Sequence, residues 1–508
     1  MGLNRESRTA NASKNAFSAI INKLALLLLT FISRKFFIQY IGVEYLGING
    51  LFANVLTLLS MADLGLGTAI NVSLYKPIAN NDTRKIAALL NYFKVLYRYI
   101  AIGVTIVGMS LIPFLKYLVN MDYDIPYLYL YYIVFVFKNT ASYLLVYKSS
   151  LLRADQKTYL INKVEIAINA SKVIAQFLSV IIWKNYLIYI LLEVIAVAVQ
   201  NIIASRIADK QYDFLDPKEH LEKTEKKGIF SDISSVFLYK IAWSLLNGTD
   251  NILMSVIVGT VYVGLYSNYY TITSNLEMFI ALLFTSLTAS IGNLVATSSA
   301  DNRYKTFKSM QMVSFWLCGL VCTCLLYLTQ DFIELWFGKE LLLDNLTLIA
   351  IVLNVFFSIC MRPIWTFREG TGMYRQIRYI MFVTAVLNLF LSIILGKKLG
   401  VSGIIFATSI SKVATYFWYE PNILFKNFFG IKPYKYYLEY VKNTFLLILC
   451  VAICYAPIKY ITSVSITCWF IKAIICGLVV NVLYYIRYHN SSEYANIRDR
   501  VLSMIKQN

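Results

Sequence analysis

The sequence predicts an all-α integral membrane protein of about fourteen transmembrane helices. They form two pseudo-symmetric six-helix lobes around a central cavity, with two further helices at the C-terminal end. Three observations lead there. Apolar runs of 18 or more residues recur from Ala16 to Ile486 in a chain that is 58% hydrophobic, with a mean hydropathy of +0.61, and runs of that length are what a helix needs to cross hydrocarbon. The pattern G-x-x-Y-[LV]-G-[IL] occurs twice, as GVEYLGI at 42–48 and GTVYVGL at 259–265, 217 positions apart. The connections between apolar runs alternate between cation-rich and cation-poor.

In order, the expected spans are 15–39, 47–74, 86–115, 125–148, 159–183, 185–205, 229–257, 261–294, 306–329, 342–363, 375–396, 400–421, 434–457 and 465–487. Several exceed the ~20 residues a crossing needs, so tilting or kinking is expected. A closed β-barrel would instead show alternating segments of roughly ten residues. One set of connections carries Lys76, Arg84 and Lys85, then Lys148, Arg153 and Lys157, then the stretch from Arg206 to Lys227. It continues with Arg303, Lys305 and Lys308, then Arg362, Arg368 and Arg375, then Lys426, Lys432 and Lys435. Because positive loops stay on the cytoplasmic side, both termini are expected in the cytoplasm. An even number of spans requires the same. The polar stretch DKQYDFLDPKEHLEKTEKK reads as a cytoplasmic linker. The domain order is then an N-terminal six-helix lobe at 1–208, the linker at 209–228, a C-terminal six-helix lobe at 229–430, and spans thirteen and fourteen with a cytoplasmic tail at 431–508.

The repeat extends beyond the glycine motif. Lys23 in AIINKLALL and Lys240 in VFLYKIAWS are also 217 positions apart, and NDTRK at 81–85 answers ADNRY at 300–304. RADQKTY at 153–159 answers REGTGMY at 368–374. Ordered landmarks at near-constant spacing argue for a duplicated unit. Six spans per unit is an even number, so both copies enter the membrane from the same side. Substrate would then be handled at the interface of the lobes, with access alternating by rocking. The GxxYxG motif itself reads as architecture, with Gly at a tight turn and Tyr45 and Tyr262 as interfacial anchors.

Composition excludes several chemistries. The net charge of +19 is explained by cytoplasmic loops, without a basic tail or motif for nucleic acid. The two histidines, His220 and His489, lie outside the apolar runs, which removes His-based catalysis. The eight cysteines fall in apolar stretches and read as small hydrophobes. The pairing of Cys450 with Cys454 on one helix face is the weaker, metal-binding reading. No catalytic residue, metal site or cofactor is expected.

Charge at mid-membrane depth costs ~2.5–3.5 kcal/mol even on the lenient insertion scale, so such residues face protein or water. Lys23 lies roughly 13 Å into the first span at ~1.5 Å per residue, and Lys240 is its repeat partner in the seventh. Lys94 and Arg98 share a face at i,i+4, and Lys138 lies mid-span. Some deep charges read as structural pairs, such as Lys172 with Glu165. The cation surplus nonetheless implies an anionic substrate, since phosphate oxygens match Lys and Arg donors. Lys23, Lys240, Lys94, Arg98 and Lys138 are therefore the expected substrate-binding residues. Asp63, Asn247, Thr249 and Asp250 stand in polar stretches interrupting the second and seventh spans. They are candidates for Na⁺ or H⁺ coupling, the duller reading being a kink satisfied by Asn and Thr.

The runs GVEYLGINGLF…ADLGLGTAINVSLYKPIANND, KSSLLRADQKTY, GTDNILMS…VGTVYVGLYSNY and YFWYEPNILFKNFF together resemble the polysaccharide-export flippases. These belong to the multidrug/oligosaccharidyl-lipid/polysaccharide flippase superfamily. The resemblance implies two six-helix lobes in a V and a substrate that is an undecaprenyl-pyrophosphate-linked oligosaccharide. It implies movement of that substrate from the cytoplasmic to the outer leaflet for capsule, O-antigen or exopolysaccharide synthesis, by alternating access. Its expected partners are the lipid-linked anionic glycan, membrane lipids and the polysaccharide assembly machinery. The alternatives are an ion-coupled multidrug exporter, whose cationic cargo would favour an acid-rich cavity, and a lipid II flippase. A polysaccharide polymerase or glycosyltransferase would need a large outer loop or a soluble domain, and neither is present.

Overall fold

The computed structural model describes residues 27–59, 73–74, 77–78, 80–121, 124–155, 157–212, 219–222, 226, 241, 244–246, 248–285, 287–288, 291, 294–295, 298–371 and 373–506. The chain forms two compact units, one of residues 1–115 with 123–233, the other of 116–122 with 234–508. The described residues are helical with short connections, as hydrocarbon demands. With no water to satisfy backbone N–H and C=O groups, only structures that satisfy them internally can cross.

In the first unit the helices are α1 (Leu27–Tyr40), α2 (Val43–Leu59), α3 (Thr83–Ser110), α4 (Leu128–Tyr143), α5 (Val146–Ala154), α6 (Thr158–Ile182) and α7 (Tyr186–Gln211). Their starts are set by caps. Asp82 accepts from Lys85 N at the head of α3, and Asn185 accepts from Leu187 N and Ile188 N at the head of α7, satisfying orphan donors. The core gathers Phe93, Tyr97, Tyr147, Leu151 and Leu152 from α3 and α5.

The second unit contains α8 (Asp250–Ile257), α9 (Thr260–Thr285), α10 (Ala300–Phe337), α11 (Asn345–Cys360), α12 (Arg362–Thr371), α13 (Tyr374–Leu399), α14 (Val401–Ala414) and α15 (Tyr416–Leu424). It ends with α16 (Tyr434–Ile458), α17 (Ile466–Tyr488) and α18 (Ser492–Lys506). Its aromatic core centres on Phe307, whose ring meets Phe367, Phe425, Phe429 and Tyr436 at 5.3–6.0 Å. Ion pairs bind the helices where charge enters the interior. Arg368 meets Glu420 at 3.0 Å between α12 and α15, and Lys472 meets Asp331 at 2.5 Å between α17 and α10. Removing one member of such a pair leaves an uncompensated charge, which costs about 3–5 kcal/mol.

The 217-residue register reappears as geometry. Val43 and Thr260, Thr83 and Ala300, and Leu128 and Asn345 are helix starts 217 positions apart (260 − 43, 300 − 83, 345 − 128). The α4–α5 pair bends by 42° and the α11–α12 pair by 43°, each at the same place in its unit. Both motif glycines have positive φ, +111° at Gly42 and +140° at Gly259. At Gly42 the chain turns by 120° from α1 into α2, and a Cβ there would stand 2.6 Å from Glu44 Oε2. Tyr262 is exposed, as an interfacial anchor would be. Tyr45 instead packs on Tyr186 and Tyr131, with ring centroids 4.9 and 6.1 Å away, because the first unit brings three tyrosines to that end.

Among the described residues seven helices are long and apolar enough to cross a membrane, or ten spans if each bent pair is one. The expected fourteen is larger for three reasons. Much of the expected second and seventh spans lies outside the described residues. α9 is rich in Tyr, Ser, Thr and Asn, and α14 stops after 14 residues.

Gly42→Ala and Gly259→Ala are expected to destabilise the chain by roughly 1–3 kcal/mol each, the cost of forcing a side chain into a sparsely populated backbone region. Gly103→Ala, in a helix with nothing within 4 Å of the new methyl, should be neutral or stabilising. Thermal melting in detergent checks the contrast, and equal losses at all three positions would refute it.

Candidate functional site

The second unit gathers charge among its helices. Asp250, the first residue of α8, accepts a hydrogen bond on Oδ2 from Thr408 Oγ1 of α14 at 3.2 Å. Thr408 Oγ1 in turn accepts from Asn388 Nδ2 of α13 at 3.0 Å. Three helices thus meet at one polar node. Asp250 Oδ1 and Asn388 Oδ1 are enclosed there without a hydrogen-bond partner among the described residues, a costly state for polar oxygens that water, a proton or a cation would relieve.

Lys412 lies four residues beyond Thr408, on the same face of α14. Burial acts against its ammonium, and the charges of Glu277 on α9 and then Asp250 partly offset that cost. Glu277 also draws on Arg362 and on the Ser358 hydroxyl. Arg362 opens α12 immediately after the 43° break and lays its guanidinium over the Trp365 ring at 5.1 Å, a cation–π contact. Its Nε has no hydrogen-bond partner among the described residues. Tyr266 and Tyr270 line α9 on the turns before Glu277, their rings 6.1 Å apart.

The resulting quartet of Asp250, Glu277, Arg362 and Lys412 holds two acids and two cations, so its formal charge is zero. Each of the four keeps part of its side chain accessible. Neutrality is the low-cost way to hold several charges in a poorly solvated place, since each isolated ion would carry its own desolvation penalty.

The expected residues distribute unevenly. Lys23, Lys240, Asp63 and Asn247 lie outside the described residues. Thr249 returns its hydroxyl to Leu245 O at 2.9 Å, the helix-satisfying role. Asp250 reaches Thr408. In the first unit, Lys138 forms an ion pair with Glu193 and lies over the Phe135 ring at 5.2 Å, so an incoming anion would compete with that carboxylate. Lys94 is half-buried and Arg98 exposed on α3. Glu165 pairs with Arg153 at 3.4 Å rather than with Lys172, because the turn from α5 into α6 brings Arg153 back over the first turns of α6.

Glu277 and Lys412 were not among the expected site residues, and Arg362 was expected in a cation-rich, cytoplasmic connection. The available signal was Thr408 and Lys412 at helical spacing opposite Glu277, with Arg362 before a proline. The cysteines are closely packed thiols. Cys318 Sγ lies 3.4 Å from Cys360 Sγ and 3.8 Å from Cys322 Sγ.

A family model described as polysaccharide biosynthesis protein matches residues 12–288, more than half of the chain, and the chain belongs to that family. No curated protein matches it in sequence. Among solved structures it is similar to the lipid II flippase MurJ in an inward closed conformation. That match has a TM-score of 0.70 at 14% identity and covers 92% of this chain and 98% of that one. It is also similar to a mutant of the Vibrio cholerae MATE transporter VcmN, with a TM-score of 0.54 at 14% identity over 81% and 95% of the two chains. A third is a MOP superfamily transporter from Pyrococcus furiosus, with a TM-score of 0.54 at 13% identity over 78% and 92%. The chain therefore has the fold of MOP-superfamily transporters and is a multi-pass membrane protein. The proteins it resembles are a flippase and transporters, not catalytic enzymes.

If the quartet is one electrostatic unit, Lys412→Met and Glu277→Gln should not be additive in stability. The coupling expected for interacting neighbours is about 0.5–3 kcal/mol. A double-mutant cycle read by thermal or denaturant unfolding in detergent measures it. Additive effects would separate the two residues.

Proposed function

We propose that this chain is a flippase moving an undecaprenyl-pyrophosphate-linked oligosaccharide from the cytoplasmic to the outer leaflet of a bacterial cell membrane. The product would serve surface polysaccharide synthesis, as capsule, O-antigen or exopolysaccharide. Membership of the polysaccharide biosynthesis family supports the glycan, and the transporter fold supports alternating access between a lobe at 1–208 and a lobe at 229–430. The observation that carries the anionic headgroup is Arg362 at the start of α12 and Lys412 of α14, both only part-exposed. Planar guanidinium and ammonium donors suit phosphate oxygens.

In this reading the cations that serve the headgroup are Lys23 and Lys240, with Lys94, Arg98 and Lys138 contributing, together with Arg362 and Lys412. The sugar stays in water and the prenyl tail in lipid. Asp250, with Asp63, Asn247 and Thr249, is the proposed ion-coupling group. Its unpartnered Oδ1 supports a place for H⁺ or Na⁺. Both termini are proposed to be cytoplasmic, and the assembly machinery is the proposed downstream partner.

The test is complementation of a strain lacking its own flippase for a defined surface glycan. Lys23→Ala with Lys240→Ala is expected to abolish surface glycan at unchanged membrane abundance, and unimpaired glycan would overturn the assignment of that pair. Export of a cationic dye by the same cells, without any rescue of glycan, would favour the multidrug reading. Rescue of a strain depleted of its lipid II flippase, with no rescue of surface glycan, would favour that substrate.

A further inference from the structure

We propose that the cavity between α10, α16, α17 and α18 binds the phosphoethanolamine headgroup of a membrane phospholipid. The site lies wholly within the second unit and stands apart from the quartet and from the substrate reading above. Its volume is about 280 Å³, the room of roughly nine waters at ~30 Å³ each. A small polar headgroup fits that space.

Charge pairs that join four helices build the walls. Lys308 of α10 meets Glu493 of α18. Arg487 of α17 donates from Nη2 to Glu439 Oε2 of α16 at 2.6 Å. All four side chains line the cavity, and so does Gln311 of α10. Two donors in these walls, Gln311 Nε2 and Arg487 Nε, have no hydrogen-bond partner among the described residues. Gln311 is only 5% exposed, so its amide lacks bulk water as well as a protein acceptor. Buried donors left unmade are costly, and both vacancies here call for acceptor oxygens.

A phosphate supplies such oxygens, and a guanidinium N–H is a strong donor to them. A bare anion would leave the cavity negative, because its two cations are already matched by two carboxylates. A headgroup with its own cation keeps the sum at zero and avoids an uncompensated buried charge. The primary ammonium of ethanolamine donates hydrogen bonds and would share Glu493 with Lys308. The trimethylated ammonium of choline has no N–H and needs an aromatic face instead. The ring of Tyr488 is already taken by the Arg487 guanidinium, 5.0 Å from its centroid.

Depth and surroundings favour a lipid as the carrier. α10 has 38 residues and at ~1.5 Å per residue runs roughly 57 Å, against ~30 Å of hydrocarbon. Its ends therefore reach headgroup depth. Lys308 stands in its third turn, and Arg487 in the last turn of α17. On the turns beyond, α16 exposes Val441 and Phe445, and α17 exposes Leu478 and Val482. Acyl chains would cover such side chains.

Native mass spectrometry of the full-length protein in detergent tests this. Phosphatidylethanolamine, phosphatidylcholine and phosphatidylglycerol with identical acyl chains are added in turn. Phosphatidylethanolamine is expected to bind roughly tenfold more tightly than either of the others, the worth of one charge-assisted hydrogen bond. Gln311→Leu and Arg487→Lys should each abolish most of that preference. The second keeps a cation beside Glu439 and removes only the fork of donors. In lipid-free detergent Gln311→Leu should melt no lower than the wild type, because it removes an unpartnered donor. Soluble glycerophosphoethanolamine should compete only at much higher concentration than the lipid. Equal binding of the three lipids, tighter binding of phosphatidylglycerol, or a preference unchanged in both variants overturns the assignment. Competition by glycerophosphoethanolamine at the lipid's own concentration overturns the lipid as carrier. Retention of none of the three lipids leaves a cavity for water only and overturns the proposal.

Discussion

Hydrocarbon tolerates neither an unpaired backbone group nor an unpaired charge, and the rest of this structure depends on that constraint. The first half of it makes the chain helical. The second half decides where ionisable side chains stand. Lys138 is held by Glu193, Arg368 by Glu420 and Lys472 by Asp331. Each pair ties two helices that are distant in sequence, so the charges act as rivets at the same time as they neutralise each other. The quartet of Asp250, Glu277, Arg362 and Lys412 obeys the same rule in a looser form. Its members are neutral as a group and keep part of their surface accessible.

Duplication accounts for the scaffold on which those charges sit. The positive-φ glycine before the second helix, the long third helix and the bend of just over 40° in the fourth recur in each unit. What differs is the polar decoration. Glu193 and Thr408 stand at the same place in equivalent helices, each seven residues after the helix start at Tyr186 and Val401. One is a carboxylate that neutralises Lys138, and the other is a hydroxyl that serves Asp250. Ser33 and Asp250 are likewise 217 positions apart (250 − 33). A shared backbone carries a Lys–Glu ion pair at this place in the first unit and a hydroxyl–carboxylate hydrogen bond in the second.

The fold was legible in the sequence wherever the signal was local or periodic. Apolar run length announced the helices, and the glycine motif announced a turn whose φ proved positive at both Gly42 and Gly259. Asp250 was singled out because Asn247, Thr249 and Asn251 crowd its turn. Its actual partner, Thr408, is 158 positions away, and no local pattern points to it. Arg362 looked like a loop cation because it follows the end of an apolar run, yet the chain bends there and continues as α12, with the guanidinium over the Trp365 ring.

The sequence by itself determined that this is a duplicated, polytopic helical protein with more cations than acids, because run length, repeat register and composition are properties of the chain alone. Which charges neutralise which was decided only by the tertiary structure. A helix face is set by spacing of three or four residues, but the neighbour it meets is set by packing between segments 55 to 158 residues apart. That packing brought Thr408 to Asp250 and left Lys138 bound to Glu193.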